Sequence, residues 1–265
     1  NVGSGCVGPN RVALTVGTSG ALRVLLPDPS PAVPYGLWGY RLANDTLVGG
    51  ALSDGGSVVE WARDTLRLPH DHTEMDRMLS GMEPAAHGLA ALPFLSGERS
   101  PGWAGGARAA FAGLSMATTP AQMLQAALEA TAYRFGKVWD LLKPHASADV
   151  VVVASGGAIV NSRYWLQLMA DVLGNEVIEC LEAEATSRGT AILALKAAAV
   201  WTSFDDVPPS LGERYGPDFK RSTVYARGRQ EHDRLYGMLV GRGVEMTRGE
   251  RPRGTTGRKG DSLNV

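Results

Sequence analysis

The order in which strand-like and helix-like patterns follow one another constrains this chain most strongly. In its first 52 residues, apolar and β-branched residues form two pairs of short runs, and a turn separates the members of each pair. The paired runs are residues 11–16 with 21–26, and residues 37–42 with 46–52. Later, β-rich runs at 150–154 and 176–179 alternate with long helical patterns. Hairpins followed by such alternation predict an α/β domain with a mixed sheet flanked by helices.

The clearest predicted helix opens at Thr119-Pro120-Ala121-Gln122. Thr119 and Gln122 have the spacing of a capping box, and Pro120 takes the first helical position, where its missing N–H costs nothing. Apolar residues then recur at helical spacing until Pro144 ends the pattern. Further helices are predicted over residues 57–68, 162–173, 186–200 and 222–240.

Composition excludes several classes of protein. The 26 Lys and Arg residues balance 27 Asp and Glu residues, and the sequence pI of about 6.6 argues against a general nucleic-acid binder. No apolar run approaches the ~18 residues of a membrane span, so we expect no membrane partner. The two cysteines, Cys6 and Cys180, are far apart and lack zinc-site spacing. We therefore predict a reducing, cytoplasmic location without structural zinc.

The periodic patterns divide the chain into a body and a tail. We predict that residues 1–243 form one domain. Residues 244–265 contain five basic and three acidic residues, are rich in Gly, Arg and Thr, and lack apolar periodicity. Such a segment is predicted to be disordered. A nucleic-acid role for it is the alternative, and a solvated terminus is the favoured interpretation.

Two local motifs suggest chemistry that their context does not support. Gly3-Ser4-Gly5-Cys6-Val7-Gly8 matches the dinucleotide GxGxxG pattern, but a β-rich run follows it where a helix is needed to meet the pyrophosphate. His70-Asp71-His72 suggests a metal site, but no third ligand stands at a standard spacing. We interpret the first as an ordinary turn and the second as a solvent-facing helix start, and we assign no metal ligand.

Three glycine-containing turns, each after a predicted strand, are stronger candidates. The turn at 17–20 offers backbone N–H groups and two hydroxyls to a phosphate, although a plain hairpin turn is the favoured interpretation of this segment alone. The turn at 54–56 precedes a helix whose start either holds an anion or is a simple loop cap. At 156–161, two glycines allow a flat ring to approach, and the alternative is a packing turn in which Asn161 is a helix N-cap. Together the three turns leave two interpretations open, a nucleotide-binding site and three unrelated turns.

Three motifs resemble those of a known family. Ala109-Ala110-Phe111-Ala112-Gly113-Leu114, followed after seven residues by Gln122-Met123-Leu124-Gln125-Ala126-Ala127-Leu128-Glu129, resembles the C-terminal signature of the FGGY carbohydrate kinases. Leu14-Thr15-Val16-Gly17-Thr18-Ser19-Gly20 is similar to the phosphate hairpin of that family. Ser155-Gly156-Gly157-Ala158-Ile159-Val160-Asn161 is similar to its adenosine motif. The order and spacing of these segments agree with the family up to about residue 240.

The resemblance implies a ribonuclease-H-like fold of the actin-like ATPase superfamily. It also implies an ATP- and Mg²⁺-dependent kinase of two domains, with the sugar or sugar acid in the cleft between them. This chain resembles the second domain, so its expected partners are a small-molecule sugar and an N-terminal kinase domain. The loop at 92–103 most resembles that of the gluconate kinases, and we expect Glu98 and Arg99 to pair with each other or with neighbours.

Carried over by position, the resemblance assigns seven binding residues and no catalytic one. The resemblance implies that Gly17 and Thr18 contact the phosphates and that Gly56 and Glu60 lie along the nucleotide. The residues implied for adenosine are Gly156, Gly157 and Asn161. The family often has Gln near the position of Glu60. In members of the family, the catalytic Asp lies in an Asp-Gly turn just before the segment that corresponds to residues 1–3 of this chain. We therefore expect this chain to begin after that Asp. A stand-alone, non-catalytic nucleotide-binding or interaction module is the alternative.

Overall fold

The computed structural model describes residues 1–42, 44–201, 203–204 and 207–241, so the predicted disordered tail lies outside the described residues. Its strands are β1 (Arg11–Val16), β2 (Gly20–Leu26), β3 (Trp38–Leu42), β4 (Asp45–Leu52), β5 (Ala90–Leu92), β6 (Ala110–Ala112), β7 (Val151–Ser155), β8 (Val177–Cys180) and β9 (Leu211–Tyr215). Its α-helices are α1 (Ser57–Leu66), α2 (His72–Ser80), α3 (Pro120–Leu142), α4 (Gly157–Val160), α5 (Arg163–Leu173), α6 (Ala185–Ala197) and α7 (Phe219–Leu239).

The main sheet has seven strands in the order β3-β4-β2-β1-β7-β8-β9. Both predicted hairpins are present, β1 with β2 and β3 with β4, and both are antiparallel. Strand β7 is parallel to β1 and to β8, because helices carry the chain back between these strands. The predicted mixed sheet is therefore confirmed. Strands β5 and β6 pair separately in a small second sheet.

Helix α3 is the centre of the core. Its predicted capping box is present: Thr119 Oγ1 accepts the Gln122 N–H at 3.3 Å, and Gln122 Oε1 accepts the Thr119 N–H at 2.9 Å. The helix packs against β2 and β4 of the sheet on one side and against α1, α5 and α7 on others. Because it is covered from several sides, residues 124–136 are all buried.

Several elements differ from the sequence-based expectations. Helix α1 ends at Leu66, two residues early, because Arg67 adopts a left-handed conformation with φ 53°. The segments α4, β5, β6 and β9 were not predicted as separate elements, whereas the helix start predicted at 70–72 is confirmed as the start of α2. Three of them have only three or four residues, and β9, Leu-Gly-Glu-Arg-Tyr, is a polar edge strand without apolar alternation. The N-cap of α5 is Ser162 rather than Asn161, since Ser162 Oγ accepts the Trp165 N–H at 3.1 Å.

The first residues form a short 3₁₀ turn, Val2–Ser4, that runs through a left-handed Gly5 into the approach to β1. No helix follows the Gly3–Gly8 motif here, which agrees with rejecting a dinucleotide site. The fold brings Cys6 and Cys180 into one buried apolar cluster as free thiols. Burial raises the pKa of the Cys6 thiol to about 11. Of the helices in the described part of the chain, none is long and apolar enough to cross a bilayer.

His232 on α7 makes the stability of this domain dependent on pH. Its ring is 1% exposed, Nδ1 donates to the Ala91 carbonyl at 2.7 Å, and Nε2 has no partner among the described residues. Burial, followed by the charge of Arg134, lowers the pKa of His232 from 6.5 to about 4. The unfolded chain therefore binds this proton more readily. We expect up to about 3 kcal/mol of stability, present above pH 6.5, to be lost as the pH falls to 4.

Urea unfolding of this chain at pH values from 4 to 7 measures that loss. In the His232→Gln variant the decrease between pH 6.5 and 4 should be much smaller than in the unaltered chain. His70→Asn, a change at an exposed histidine, should keep the full decrease. An equal decrease in the unaltered chain and in His232→Gln would contradict the assignment.

Candidate functional site

A cavity of about 320 Å³ lies at the edge of the sheet where β1 and β7 end. Because these strands are parallel, their carboxyl ends meet at this edge, which is where α/β sheets bind ligands. The turn after β1, the starts of α4 and α5, and helices α1, α2 and α3 surround it. Its lining residues are Gly17, Thr18, Gly56, Val59, Glu60, Arg63, His72, Met75, Asp76, Leu79, Leu128, Gly157, Ala158, Asn161, Ser162 and Trp165.

Six of the seven predicted binding residues line this cavity, although they come from three separate parts of the sequence. They are Gly17, Thr18, Gly56, Glu60, Gly157 and Asn161. The seventh, Gly156, lies outside the lining and borders a second cavity. It has φ 97°, and a Cβ there would lie 2.4 Å from the Val16 carbonyl oxygen. Only glycine therefore fits this position, where the end of β7 passes against the end of β1.

The turn at 17–20 is tied to the start of α1. The N–H groups of Gly55 and Ser57 donate to the Thr18 carbonyl at 2.9 and 3.2 Å, and the Gly56 N–H donates to the Gly17 carbonyl at 2.7 Å. These first donors of α1 are therefore used within the protein rather than free for an anion, which favours the loop-cap interpretation of this helix start. Thr18 and Ser19 remain exposed at the tip of the turn.

Gly56 and Gly157 are glycines for different reasons. A Cβ on Gly56 would lie 2.6 Å from the Cβ of Ala158, so this glycine allows α1 to approach α4. A Cβ on Gly157 would meet only Asn161 Nδ2, at 4.0 Å, so Gly157 is bare toward open space. Asn161 Nδ2 donates to the Gly157 carbonyl at 2.7 Å and holds this peptide in place. Gly157 therefore presents flat backbone to the cavity.

The α2 wall of the cavity was missed by the sequence reasoning. His72, Met75, Asp76 and Leu79 line the cavity from this helix. Asp76 Oδ1 accepts the Ser162 hydroxyl at 2.6 Å and the Tyr164 N–H at 3.0 Å, which fixes α2 against the start of α5. The available signal was Asp71, which caps α2 by accepting the Glu74 N–H at 2.8 Å.

The signature segment at 109–129 contributes mainly to packing between α3 and the segment before β5. Glu129 is 1% exposed, and its carboxylate accepts the Ala85 N–H at 3.0 Å, the His87 Nε2–H at 3.0 Å and the Tyr133 hydroxyl at 3.2 Å. His87 Nδ1 accepts the Leu89 N–H, so His87 is the neutral Nε2–H tautomer. These bonds attach the segment before β5 to α3, away from the 320 Å³ cavity.

The loop at 93–107 is held by a buried ion pair. Glu98 pairs with Arg134 on α3, accepts the Gly102 N–H at 3.1 Å and accepts the Tyr236 hydroxyl at 2.6 Å. Arg134 also lies over the rings of Phe94 and Tyr236. Glu98 thus pairs with a distant residue, whereas its sequence neighbour Arg99 is exposed. Among the residues that the structure describes, no group of three or more His, Cys, Asp or Glu could hold a metal ion.

Comparison with known proteins gives the family. Residues 12–198 match the family model described as "FGGY family of carbohydrate kinases, C-terminal domain". The chain belongs to the FGGY family of carbohydrate kinases. This FGGY domain is 30% identical over 226 residues to the gluconokinase of Bacillus subtilis (strain 168), a match that covers 81% of the chain and 44% of the gluconokinase.

Solved structures confirm the fold of this FGGY domain. A gluconate kinase from Lactobacillus acidophilus superimposes with a TM-score of 0.80 at 24% identity, over 90% of this chain and 49% of that one. A xylulose kinase from Rhodospirillum rubrum gives a TM-score of 0.76 at 27% identity, with the same coverage of both chains. The predicted mixed α/β sheet flanked by helices is confirmed, and sugar-kinase structures share this fold. The chain spans about half the length of the relatives it matches.

Proposed function

We propose that this FGGY domain is the ATP-binding half of a kinase that phosphorylates a hydroxyl of a sugar or sugar acid. The observation that carries the proposal is the convergence of three turns on one cavity, with Gly157 bare toward it. A Cβ at this position would fill the space in which a flat ring could lie on the backbone. The seven carried-over residues, including Gly156 behind Gly157, remain proposed binding residues.

The cavity has the two kinds of surface that a nucleotide requires. Trp165, Leu128 and Met75 are buried and supply an apolar floor for the adenine ring. Glu60 and Asn161 are exposed at the cavity and supply polar partners for the ribose and the base. The exposed tip at Thr18 and Ser19 then receives the phosphates through hydroxyl and N–H donors.

Phosphoryl transfer depends mainly on positioning and on charge neutralisation. Within this chain, the contacts from α1 to the Gly17 and Thr18 carbonyls preset the turn before nucleotide binds. When bound, Mg²⁺ would neutralise charge on the phosphates. The base that takes the proton of the acceptor hydroxyl and the N-terminal domain are both proposed to lie outside this chain.

Gluconate is the proposed acceptor, because the Bacillus subtilis relative is a gluconokinase and the loop at 92–103 resembles that of gluconate kinases. The alternative remains a stand-alone module that binds nucleotide without catalysis. Assaying the two-domain kinase that contains this chain with labelled ATP and with gluconate, xylulose or glycerol separates the two. Transfer to gluconate is expected. ATP binding without transfer to any sugar, polyol or sugar acid would favour the module.

Thr18→Val is expected to weaken ATP binding about tenfold or more, because a hydrogen bond to a charged phosphate contributes about 1.5–3 kcal/mol. Adenosine affinity should stay unchanged, since the phosphate tip lies apart from Gly157 and Asn161. Calorimetric titration with ATP and with adenosine measures both affinities. Thr65→Val, at an exposed position on α1 outside the cavity lining, is the matched control. Equal loss of ATP and adenosine affinity would contradict the phosphate assignment.

A further inference from the structure

Arg23 on β2 is a half-buried cation without a carboxylate partner among the described residues. Its Nη2 donates to Thr15 Oγ1 at 2.8 Å, whereas its buried Nε has no hydrogen-bond partner there. Burial lowers the pKa of the guanidinium. A cation kept out of water in this way is costly unless an anion pairs with it.

The side chain is accommodated by the sheet itself. Arg23 is paired across the sheet with Gly49 of β4, and a Cβ on Gly49 would lie 2.5 Å from Arg23 Cγ. The missing side chain at Gly49 therefore makes room for the stem of Arg23. The sequence thus combines an arginine with a neighbouring glycine that leaves it space.

Arg23 lines a cavity of about 380 Å³, distinct from the proposed nucleotide cavity. Thr15, Ser155 and Gly156 also line it, as do the 3₁₀ turn at Val2–Ser4 and the first turns of α6. Val16 on β1 and Leu22 on β2 are buried in the core. Their chain neighbours Thr15 and Arg23 therefore lie on the opposite face of the sheet, because successive side chains of a strand alternate between faces. The two cavities meet at the turn after β7, where Gly156 borders one and Gly157 the other.

A short hydrogen-bonded series connects Arg23 to that turn. Thr15 Oγ1, which accepts from Arg23, lies 3.1 Å from Ser155 Oγ, and Ser155 directly precedes Gly156. An oxyanion at Arg23 would meet the guanidinium and, beside it, the hydroxyls of Thr15 and Ser155, one of which donates to the other. Of the acidic residues at the cavity, Glu182 is already bonded to Arg188 and to the Ser210 N–H. Glu184 is exposed at the start of α6.

We infer that Arg23 binds the carboxylate of the acceptor, so that this kinase selects a sugar acid over a neutral sugar. The inference rests on the proposed function. Arg23 lies three residues from Gly20, roughly 10 Å along the strand from the proposed phosphate turn. An extended six-carbon acid with its carboxylate at Arg23 thus reaches toward that turn with its far hydroxyl. A neutral sugar would leave the guanidinium without an anion.

The test compares Arg23→Met with the unaltered two-domain kinase that contains this chain. The KM for gluconate should rise about 30-fold or more, as expected for the loss of one partner of a desolvated charge pair, and the KM for ATP should change less than about twofold. Arg23→Lys should restore part of the gluconate affinity, because a lysine keeps the charge but loses the bidentate fork. Arg214→Met, which removes a surface arginine paired with Glu176, is the control for net charge.

A binding measurement separates this inference from the proposed function. Gluconate and inorganic phosphate are each titrated into the 265-residue chain and into its Arg23→Met variant. A rise in the thermal midpoint reports binding. Arg23-dependent gluconate binding without any phosphoryl transfer would remove the proposed function and leave the carboxylate site. Transfer to neutral sugars alone, an unchanged gluconate KM in Arg23→Met, or binding of phosphate but not gluconate would overturn the inference.

Discussion

Replacing Arg134 with methionine is expected to lower the free energy of unfolding by about 3–5 kcal/mol, because Glu98 would be left buried without its cation. Both side chains are at least 95% buried. Arg134 also lies 5.3 Å from the centre of the Phe94 ring and 4.7 Å from that of Tyr236, so one residue joins α3, α7 and the loop at 93–107. Urea unfolding of this chain, followed by circular dichroism, measures the loss.

Two further variants show whether the loss comes from the unpaired carboxylate. In a double-mutant cycle, adding Glu98→Gln to Arg134→Met should recover part of the lost stability, since the buried charge is then removed. Arg229→Met breaks an ion pair with Asp140 that is open to solvent and should cost less than about 1 kcal/mol. If Arg134→Met destabilised the chain no more than Arg229→Met, the buried pair would have no special role.

Gly157→Val is expected to weaken ATP binding at least tenfold while the domain stays folded. The branched side chain would extend into the cavity from a position where a Cβ meets only Asn161 Nδ2, at 4.0 Å. Overpacking costs about 1–3 kcal/mol, and a tenfold loss of affinity, about 1.4 kcal/mol, lies within this range. Calorimetric titration with ATP measures the affinity, and the thermal midpoint confirms folding.

The choice of glycine decides whether this experiment is informative. Gly56→Val would place its Cβ 2.6 Å from that of Ala158, so lost binding there would not distinguish ligand contact from damage to α1. Gly106→Val is the matched control, because a Cβ at Gly106 meets nothing within 4 Å and the position lies outside the cavity. A folded Gly157→Val variant with unchanged ATP affinity would remove the adenosine assignment.

The elements predicted most accurately are those specified by local chemistry. Helix α3 begins and ends where Thr119, Pro120 and Pro144 indicate, because capping bonds and proline sterics act within a few residues. The hairpins follow from strand pairs joined by short turns. For helix α2 only the start at 70–72 was predicted, because the helix is short and polar, and strand β9 was not predicted because it is an edge strand held by pairing with β8.

For the candidate site, the residues indicated three turns, and the family resemblance assigned them to parts of a nucleotide. Neither could show that the first N–H groups of α1 already bind the turn at 17–20, since that depends on hydrogen bonds between segments about 38 residues apart. The resemblance also grouped Gly156 with Gly157. The structure separates them, because a Cβ on the first would strike the Val16 carbonyl whereas the second is open.

By itself, the sequence determined the class of fold, most of the helices and strands, and the turns at which a ligand could meet bare backbone. These properties depend on periodicity, caps and glycines, which act over a few neighbouring residues. Only the tertiary structure decided that Gly157 faces the nucleotide cavity, that α2 completes the wall of this cavity, and that Glu98 pairs with Arg134. It also decided that the buried Nε of Arg23 has no partner among the described residues. Each of these depends on burial and on contacts between segments far apart in the chain, which no local pattern records.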